Sequence, residues 1–461
     1  MGKFINRAKE LAFLNSEYAK QESSLVILYG RRRTGKTTLI THFGADKRML
    51  YFFATEEAES ENLNSFKNLV GDYLGSELLK NAKIDSWELI FQELLKNNPQ
   101  ERKLIVIDEF QYLGKANPAF PSIFQKTWDT QLKQANVMVI LCGSLVSKME
   151  AQALSYKSPL YGRRTGQIKL APIEFKHYHE FFEGKSRTEL IEYYSITDGV
   201  PKYIELFTGS GDVFTAINQH ILSKQSFLYE EPIFLLQNEV SEIGSYFSII
   251  KAIAAGNQRL SKIASVLGVK QTNLSKYLKT LIDLDLLQRQ VPITENQPEK
   301  SKRGLYRIKD NFIKFWFKFI YPYKSFIEMN NTAFVLQKIR ENLIQQHVSS
   351  VYEDLCLAEM WDLNLDNAWN FHFNKAGRWW DNNTEIDLVA FDSEGEDIIF
   401  GECKYTEQPL DTNVFYALME KAQKVQWKKN CRRQFILFSI NGFTKQMEEL
   451  AQTRRDVLLR S

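Results

Sequence analysis

The sequence predicts an α/β protein whose amino-terminal part is a parallel sheet with helices on both faces. Over residues 1–200, apolar strand-like runs alternate with helical stretches, which is typical of βαβ units. A glycine-rich loop, Gly30–Thr37, stands between the first apolar run and the helix that follows it. The 461 residues are too many for one core, so further domains are expected beyond this sheet.

The organisation of the chain follows from changes in residue pattern. Residues 170–240 are mostly helical, 245–310 carry three short helices and a polar loop, and 345–461 mix helices with strands. We therefore predict a sheet domain (1–170), a helical lid (171–244), a winged helix (245–310), a helical linker (311–344) and a small α/β domain (345–461). The predicted strands are Leu25–Tyr29, Met49–Ala54, Lys103–Ile107, Val137–Cys142, Glu385–Phe391, Asp397–Cys403 and Gln434–Ile440.

The composition indicates a globular protein of the cytoplasm. The formal net charge of +3 neither favours nor excludes nucleic acid, because a basic face can hide in a balanced total. The four cysteines lack CxxC or CxxH spacing, so no structural zinc is expected, and free thiols fit a reducing compartment. The apolar stretch Phe312–Tyr323 is too short to span a membrane, and it predicts a buried aromatic helix that ends near Pro322.

The Gly30–Thr37 loop matches the phosphate-binding pattern GxxxxGK[ST] in a strand–loop–helix context, which argues against a chance glycine-rich turn. Its backbone N–H groups are expected to surround phosphate oxygens at the positive end of the helix. Lys36 is expected to reach the β and γ phosphates, and Thr37 to ligate Mg²⁺. The predicted nucleotide contacts are Gly30, Arg31, Arg32, Arg33, Thr34, Gly35, Lys36, Thr37, Thr38, Asp108, Ser144, Arg163 and Pro201.

Acidic and polar residues end the later strands of the same sheet. Asp108 is expected to hold Mg²⁺, usually through water, and Glu109 to polarise the attacking water. Ser144 either senses the γ phosphate or caps a helix. Either Arg163 or Arg164 is expected to act as an arginine finger, in its own subunit or in a neighbouring one. The alternative, which stays open, is that these arginines form surface ion pairs.

These features together resemble the archaeal and bacterial P-loop ATPases of the AAA+/STAND group. The resemblance covers residues 1 to about 205, and it implies ATP rather than GTP as the nucleotide, in agreement with the absence of an [NT]KxD motif. It also implies that Gly199 and Pro201 pack on the adenine, although an ordinary turn is the alternative. The residues that carry it are Phe4, Asn6, Arg7, Glu10 and segments 30–39, 107–113, 142–144, 158–166 and 198–203.

Residues 259–281 have the pattern of a helix-turn-helix, with Gly268 at the turn. The second helix carries polar residues suited to phosphate and base-edge contacts. The segment from Asp283 to Arg289 and the following polar loop are expected to form a wing on the DNA backbone. The alternative is a winged helix that only clamps neighbouring domains together. The residues involved are Lys270, Gln271, Asn273, Ser275 and Lys276 on the helix, and Lys300, Lys302 and Arg303 in the loop.

In the carboxy-terminal domain, Asp387 stands on one strand, and Glu402 and Lys404 share a face of the next. This D…ExK spacing resembles the PD-(D/E)XK nuclease fold, and implies that Asp387 and Glu402 bind Mg²⁺ or Mn²⁺ while Lys404 orients a water. Glu353, on the preceding helix, is a further candidate ligand. The alternatives are a nuclease-like fold that binds without cutting and a solvated hairpin with chance charges.

The sequence thus predicts an ATP-hydrolysing protein that acts on DNA, with ATP and Mg²⁺ at the loop, a metal-dependent nuclease at the carboxyl end and no membrane association. The expected catalytic residues are Lys36, Glu109, Asp387, Glu402 and Lys404. The alternative is a nucleotide-dependent switch that binds DNA or a protein without cleavage. A homo-oligomer is compatible with an arginine finger supplied by a neighbouring subunit.

Overall fold

A computed structural model describes residues 4–428 and 431–461 of the chain. The chain divides into two units. The amino-terminal unit comprises residues up to 181 together with 199–205 and 237–241. The carboxy-terminal unit comprises 182–198, 206–236 and 242–461.

The sheet of the amino-terminal unit is parallel throughout, as the sequence predicts. Its strand order is β2-β3-β4-β1-β5, and β1, β3 and β4 are buried along their whole length. A strand that is buried on both faces has a continuous run of apolar residues. This pattern allows β1, β3 and β4 to be predicted from the sequence. The fifth strand is short and half exposed, and it was not predicted. The strands are β1 (Ser24–Tyr29), β2 (Met49–Phe53), β3 (Lys103–Asp108), β4 (Val137–Gly143) and β5 (Gly166–Lys169).

Helices cover both faces of this sheet, in agreement with the predicted architecture. One face packs apolar residues of α1 and α2 against alternate side chains of the central strands, such as Val26 and Val106. On the other side, Phe66, Trp87 and Phe120 from α3, α5 and α7 form an aromatic cluster. The helices are α1 (Ala8–Tyr18), α2 (Lys36–Phe43), α3 (Glu59–Leu74), α4 (Glu77–Asn81), α5 (Trp87–Lys96), α6 (Gln111–Ala116), α7 (Phe120–Thr130) and α8 (Val146–Met149).

The chain between the two sheets is mainly helical and contains a winged helix. Gly268 ends α14 in a left-handed conformation, and the short antiparallel pair β6–β7 follows α15. Backbone with positive φ is readily adopted by glycine, so this residue makes the turn between the two helices. The elements are α9 (Arg187–Thr197), α10 (Pro201–Phe207), α11 (Val213–His220), α12 (Glu231–Glu239), α13 (Ile243–Ala254), α14 (Leu260–Leu267), α15 (Gln271–Asp283), β6 (Leu287–Gln290), β7 (Leu305–Ile308), α16 (Asn311–Phe315), α17 (Lys324–Glu328) and α18 (Thr332–Leu343).

The aromatic stretch after β7 is buried, but its helix does not end near Pro322. A π-helical turn over Trp316–Ile320 and a 3₁₀ turn over Tyr321–Tyr323 lead directly into α17. Pro322 lies in the first positions of the 3₁₀ turn, where its missing N–H interrupts no helical ladder. Within residues 4–428 and 431–461, no helix has the length and apolar character needed to cross a membrane.

The second sheet is mixed and has the order β12-β11-β10-β9-β8. Strands β8, β9 and β10 are antiparallel neighbours, whereas β10, β11 and β12 are parallel. The sequence missed β8 and β12, because β8 contains a glycine and charged residues and β12 has only four residues. The elements are α19 (Ser349–Leu365), β8 (Lys375–Trp380), β9 (Glu385–Phe391), β10 (Ile398–Lys404), α20 (Thr412–Gln423), β11 (Arg433–Ser439), α21 (Lys445–Thr453) and β12 (Val457–Arg460).

A buried histidine makes the stability of the carboxy-terminal unit depend on pH. The Nε2 atom of His347 lies 2.7 Å from the carbonyl oxygen of Ser195. Burial and the ammonium group of Lys314 lower the pKa of His347 to about 3. The unfolded chain, with an ordinary pKa of about 6.5, binds the extra proton as the pH falls. The free energy of unfolding therefore decreases below about pH 6.5, by at most about 1.4 kcal/mol per pH unit.

Between pH 7.5 and 5.5 we expect the free energy of unfolding to fall in both wild type and His347→Gln. The fall in the variant, which retains a donor for Ser195, should be smaller by about 1 kcal/mol. Urea unfolding followed by tryptophan fluorescence measures this difference. Carboxylates titrate in both proteins alike, so an equal loss of stability in wild type and variant would contradict the role of His347.

Candidate functional site

The phosphate loop lies between β1 and α2, at the carboxyl end of the parallel strands. Gly30 has a φ of +152°, and a Cβ atom there would stand 2.5 Å from the carbonyl oxygen of Leu170. Gly35 precedes α2 in a left-handed conformation, with a φ of +91°. Both glycines are thus required by the backbone path, so the loop can direct its N–H groups inward.

Lys36 fills the centre of this loop. Only 7% of its surface is exposed, and its Nζ atom donates to the carbonyl oxygens of Gly30 and Arg31, both at 2.8 Å. Burial lowers the pKa of Lys36, while the nearby carboxylates of Asp108 and Glu109 oppose that shift. The loop therefore holds an ammonium group at the place where phosphate oxygens would enter.

Asp108 is surrounded by donors at the end of β3. Its Oδ1 atom accepts the backbone N–H of Glu109 at 2.9 Å, and its Oδ2 atom lies 3.5 Å from the hydroxyl of Thr37. The hydroxyl of Tyr51, on the neighbouring β2, donates to the same Oδ2 atom. Burial and Asp108 raise the pKa of Tyr51, so the phenol stays protonated. Sequence reasoning missed Tyr51; a polar tip within an apolar strand was the available signal.

Glu109 is held by two residues, of which only Ser144 was predicted to lie here. The hydroxyl of Ser144 donates to both carboxylate oxygens of Glu109, at 2.9 and 2.8 Å, and the amide of Gln111 donates as well. Ser144 does not cap α8, since Leu145 occupies that position. Glu109 itself has a φ of +54°, uncommon for a non-glycine residue. The backbone and both partners thus fix the direction of this carboxylate.

Arg7 links the phosphate loop to the segment that follows β5. Its side chain is buried, and its Nη2 atom donates to the carbonyl oxygens of Thr34 at 3.1 Å and Ala171 at 2.8 Å. An ion pair with Glu10 at 3.3 Å completes its contacts. Arg7 and Glu10, which belong to the motif that precedes the first strand, therefore act on the shape of the loop.

Pro201 lies against the phosphate loop. Its Cγ atom is 3.8 Å from the place that a Cβ atom on Gly35 would take. The position depends on Gly199, where a Cβ atom would stand 2.1 Å from the carbonyl oxygen of Ile173. The N–H of Ile173 also donates to Gly199 at 2.7 Å. Gly199 is thus held against Ile173, and Pro201 lies beside the phosphate loop within the amino-terminal unit.

The arginines differ in their surroundings. Arg163 binds Asp129 through two nitrogens, at 2.9 and 2.7 Å, and this pairing raises its pKa. The ion-pair interpretation therefore describes this structure, and an arginine finger stays a prediction. Arg32 donates to the hydroxyl of Tyr112 at 3.1 Å. Arg33, in the loop, and Thr38, in α2, are both exposed.

The three polar residues of the D…ExK spacing converge in the carboxy-terminal unit. The Nζ atom of Lys404 lies 2.7 Å from Glu402 and 3.9 Å from Asp387. The N–H of Cys403 donates to Asp387 at 2.9 Å. Burial and the carboxylate of Glu402 raise the pKa of Asp387 to about 7. Lys421 from α20, which the sequence did not indicate, donates to both oxygens of Glu402 at 2.9 Å.

The predicted metal ligands already bond basic side chains here, and a metal site at this cluster stays a prediction. Glu353 bonds Arg378 of β8, so its charge is already compensated. Glu402 is likewise compensated by Lys404 and Lys421. Across residues 4–428 and 431–461, no three side chains of Asp, Glu, His or Cys are arranged to hold a metal. The present geometry of this cluster therefore does not fit a three-carboxylate metal site.

The wing is joined to the carboxy-terminal sheet. The N–H of Ile293 donates to the carbonyl oxygen of Arg378 on β8 at 2.9 Å, and Arg303 donates to the carbonyl oxygen of Trp380. Arg307 pairs with Glu385 at 3.2 Å. These contacts agree with the clamp interpretation for the wing. The predicted contact residues Lys300 and Lys302 are exposed.

The second helix of the winged helix, α15, presents a polar surface. Leu274, Leu278 and Leu281 are its buried positions. The residues predicted to contact DNA are exposed: Lys270, Gln271, Asn273, Ser275 and Lys276. Exposure of this face is what a recognition helix requires.

The fold and the loop geometry define a P-loop protein of the ATPase class. A family described as "ATPase domain predominantly from Archaea" matches residues 4–207, and one described as "Archaea bacterial proteins of unknown function" matches 316–424. The chain is 38% identical over 404 residues to the uncharacterized protein MJECL04 of Methanocaldococcus jannaschii, covering 88% of each protein. It therefore belongs to the same family as that relative, and it contains a P-loop ATPase domain.

Two further similarities concern parts of the chain. The uncharacterized ATP-binding protein MJ0423 of the same organism is 48% identical over 46 residues, covering 10% of this chain and 78% of that relative. The solved structure of the Walker-type ATPase PABY2304 of Pyrococcus abyssi has a TM-score of 0.54 at 20% identity, covering 68% of this chain and 96% of that one. This last likeness concerns the fold alone.

We expect Ser144→Ala to slow ATP turnover about tenfold, because losing a hydrogen bond to a charged group leaves Glu109 less well oriented. The apparent affinity for ATP should change little, since Ser144 bonds Glu109 and not the loop. A steady-state assay of phosphate release separates kcat from KM. The matched control is Ser147→Ala, whose hydroxyl bonds Glu239 instead. Equal slowing in both variants would contradict a specific role of Ser144.

Proposed function

We propose that the chain hydrolyses ATP at the phosphate loop, through an attacking water that Glu109 polarises. The observation that carries this proposal is the convergence of Lys36, Thr37, Asp108 and Glu109 at one end of β1 and β3. Lys36 would exchange its bonds to loop carbonyls for phosphate oxygens, which its charge attracts more strongly. Glu109, directed by Ser144, would accept a proton from the water.

The residues present fit Mg²⁺ at this site. The Thr37 hydroxyl and the Asp108 carboxylate are hard oxygen ligands on adjacent elements, 3.5 Å apart. When bound, Mg²⁺ would neutralise charge on the phosphate oxygens. Tyr51, by donating to Asp108, would hold that carboxylate in place for the ion. Pro201 and Gly199 would form the wall against which the adenine rests.

Two substitutions should separate binding from hydrolysis. Lys36→Ala removes the ammonium group that faces the phosphates, so we expect loss of ATP binding and turnover. Glu109→Gln keeps the shape of the side chain but removes the base, so ATP should still bind while turnover falls about a hundredfold or more. Calorimetry measures binding, and phosphate release measures turnover. Unchanged turnover in both variants would place hydrolysis elsewhere.

The same proposal includes DNA as the partner of the winged helix. The exposed polar face of α15 carries Lys276 and Asn273, which suit phosphate and base-edge contacts. The arginines Arg303 and Arg307 of the wing bond the neighbouring sheet, so α15 would make the principal contact with DNA. ATP binding and hydrolysis would then regulate or drive an action on DNA.

DNA binding through α15 should depend on salt. We expect duplex affinity to fall steeply with ionic strength, and Lys276→Ala to reduce the slope of log K against log[salt] by about 1. Fluorescence anisotropy with a labelled duplex measures both quantities. Lys96→Ala, an exposed lysine of α5, is the control and should leave the slope unchanged. A flat salt dependence would favour the domain-clamp alternative.

For the carboxy-terminal cluster, the geometry supports binding without cleavage better than it supports a nuclease. Lys404 and Lys421 both pair with Glu402, and Glu353 is bound to Arg378, so a metal ion would have to compete with these basic groups. A metal-dependent nuclease is the second candidate, supported by the convergence of Asp387, Glu402 and Lys404. No cleavage step follows from the present arrangement.

Plasmid incubation separates these two alternatives. With Mn²⁺ present, we expect wild type and Asp387→Asn to leave supercoiled plasmid equally intact, as judged by gel electrophoresis. Nicking by wild type that the variant lacks would establish the nuclease. Equal nicking by both proteins would indicate a contaminating enzyme, and further purification would remove it.

A further inference from the structure

A large open cavity lies in the carboxy-terminal unit, away from the carboxylate cluster. Its volume is about 1060 Å³, and the end of α13, the aromatic stretch after α16 and Gln346 form its walls. We name it the lysine cavity, because Lys251, Lys318 and Lys324 line it. A cleft of this size between helices can accommodate an organic ligand.

The lysines bring positive charge that the cavity itself does not balance. Lys251 has its Nζ atom 5.2 Å from the centre of the Tyr321 ring, and Lys318 donates to the carbonyl oxygen of Gln346 at 2.8 Å. Lys324 pairs with Glu230 at 2.9 Å, outside the lining. Among the described residues that line the cavity, there is no aspartate or glutamate. Its chemistry therefore favours an anion.

Aromatic rings form the apolar part of the lining. The rings of Phe317 and Tyr321 lie 5.9 Å apart, and Phe247 packs behind both at 4.5 and 4.9 Å. Phe317 is buried, whereas Tyr321 is partly exposed, so a flat ligand ring can stack on Tyr321 as bases stack on aromatic side chains. Cationic and aromatic groups thus stand within the same cavity.

Two rare backbone features bound the cavity. Lys318 belongs to the π-helical turn Trp316–Ile320, and Gln346 belongs to a second one over Ile344–Val348. Turns of this kind occur frequently at functional sites, because the extra residue redirects neighbouring groups. Burial also lowers the pKa of Lys318, whose ammonium group donates to the carbonyl oxygen of Gln346. A bound anion would offset that loss of solvation.

We propose that the lysine cavity binds a nucleoside phosphate, with the base on Tyr321 and the phosphates on Lys251 and Lys318. This site is separate from the phosphate loop, so the inference goes beyond ATP hydrolysis and does not depend on it. It gives the chain a second nucleotide ligand, placed between the winged helix and the helices that follow.

The test uses the full-length Lys36→Ala protein, in which the phosphate loop is disabled. Calorimetric titrations with ADP and with GDP should reveal one remaining site per chain for at least one of the two nucleotides. Adding Lys251→Gln or Lys318→Gln should weaken that binding at least tenfold. Adding Lys338→Gln, a partly exposed lysine of α18 that pairs with Glu341, should leave it unchanged. Lys251 is exposed, so its substitution can be judged without a folding defect.

Three results would overturn the proposal. One is the absence of binding by either nucleotide up to millimolar concentration. Another is nucleotide binding that neither Lys251→Gln nor Lys318→Gln weakens, since that would indicate residual binding at the phosphate loop. The third is sodium pyrophosphate binding as tightly as the nucleotides, which would remove the role of the aromatic rings. Turnover of ATP by wild type is independent of all three.

Discussion

The buried ammonium group of Lys36 is the constraint around which the amino-terminal unit is organised. A positive charge inside a protein is costly unless it is bonded, and the loop carbonyls of Gly30 and Arg31 provide those bonds. The loop surrounds the charge because Gly30 and Gly35 adopt positive φ angles. Arg7 also holds the loop in place by donating to the carbonyl oxygen of Thr34. A phosphate group that replaces these carbonyls therefore enters a preformed positive site.

The carboxylates near this charge are fixed by neighbours from other strands. Asp108 receives the hydroxyl of Tyr51 from β2, and Glu109 receives that of Ser144 from β4. Because parallel strands end at a common edge, residues distant in sequence meet there. The direction of Glu109 thus depends on the sheet as a whole, and any movement of β4 reaches the residue that we propose as the catalytic base.

In the carboxy-terminal unit, several acidic side chains are paired with basic side chains. Glu402 has two lysines, Glu353 has Arg378, and Arg303 of the wing is bonded to the edge strand β8. Such paired charges specify geometry more than they add stability. The wing and the second sheet are thus joined by several bonds, whereas the residues that line the lysine cavity include no aspartate or glutamate.

The sequence by itself determined the parallel sheet, the phosphate loop and the positions of Asp108 and Glu109, because apolar runs and the needs of a tight glycine loop are local properties. It also located Asp387, Glu402 and Lys404 on adjacent strands. Only the tertiary structure decided which side chains form hydrogen bonds and ion pairs with these residues. Tyr51 and Lys421 come from distant elements, and Glu353 turns to Arg378, since pairing in space follows strand order and packing, which no local pattern encodes.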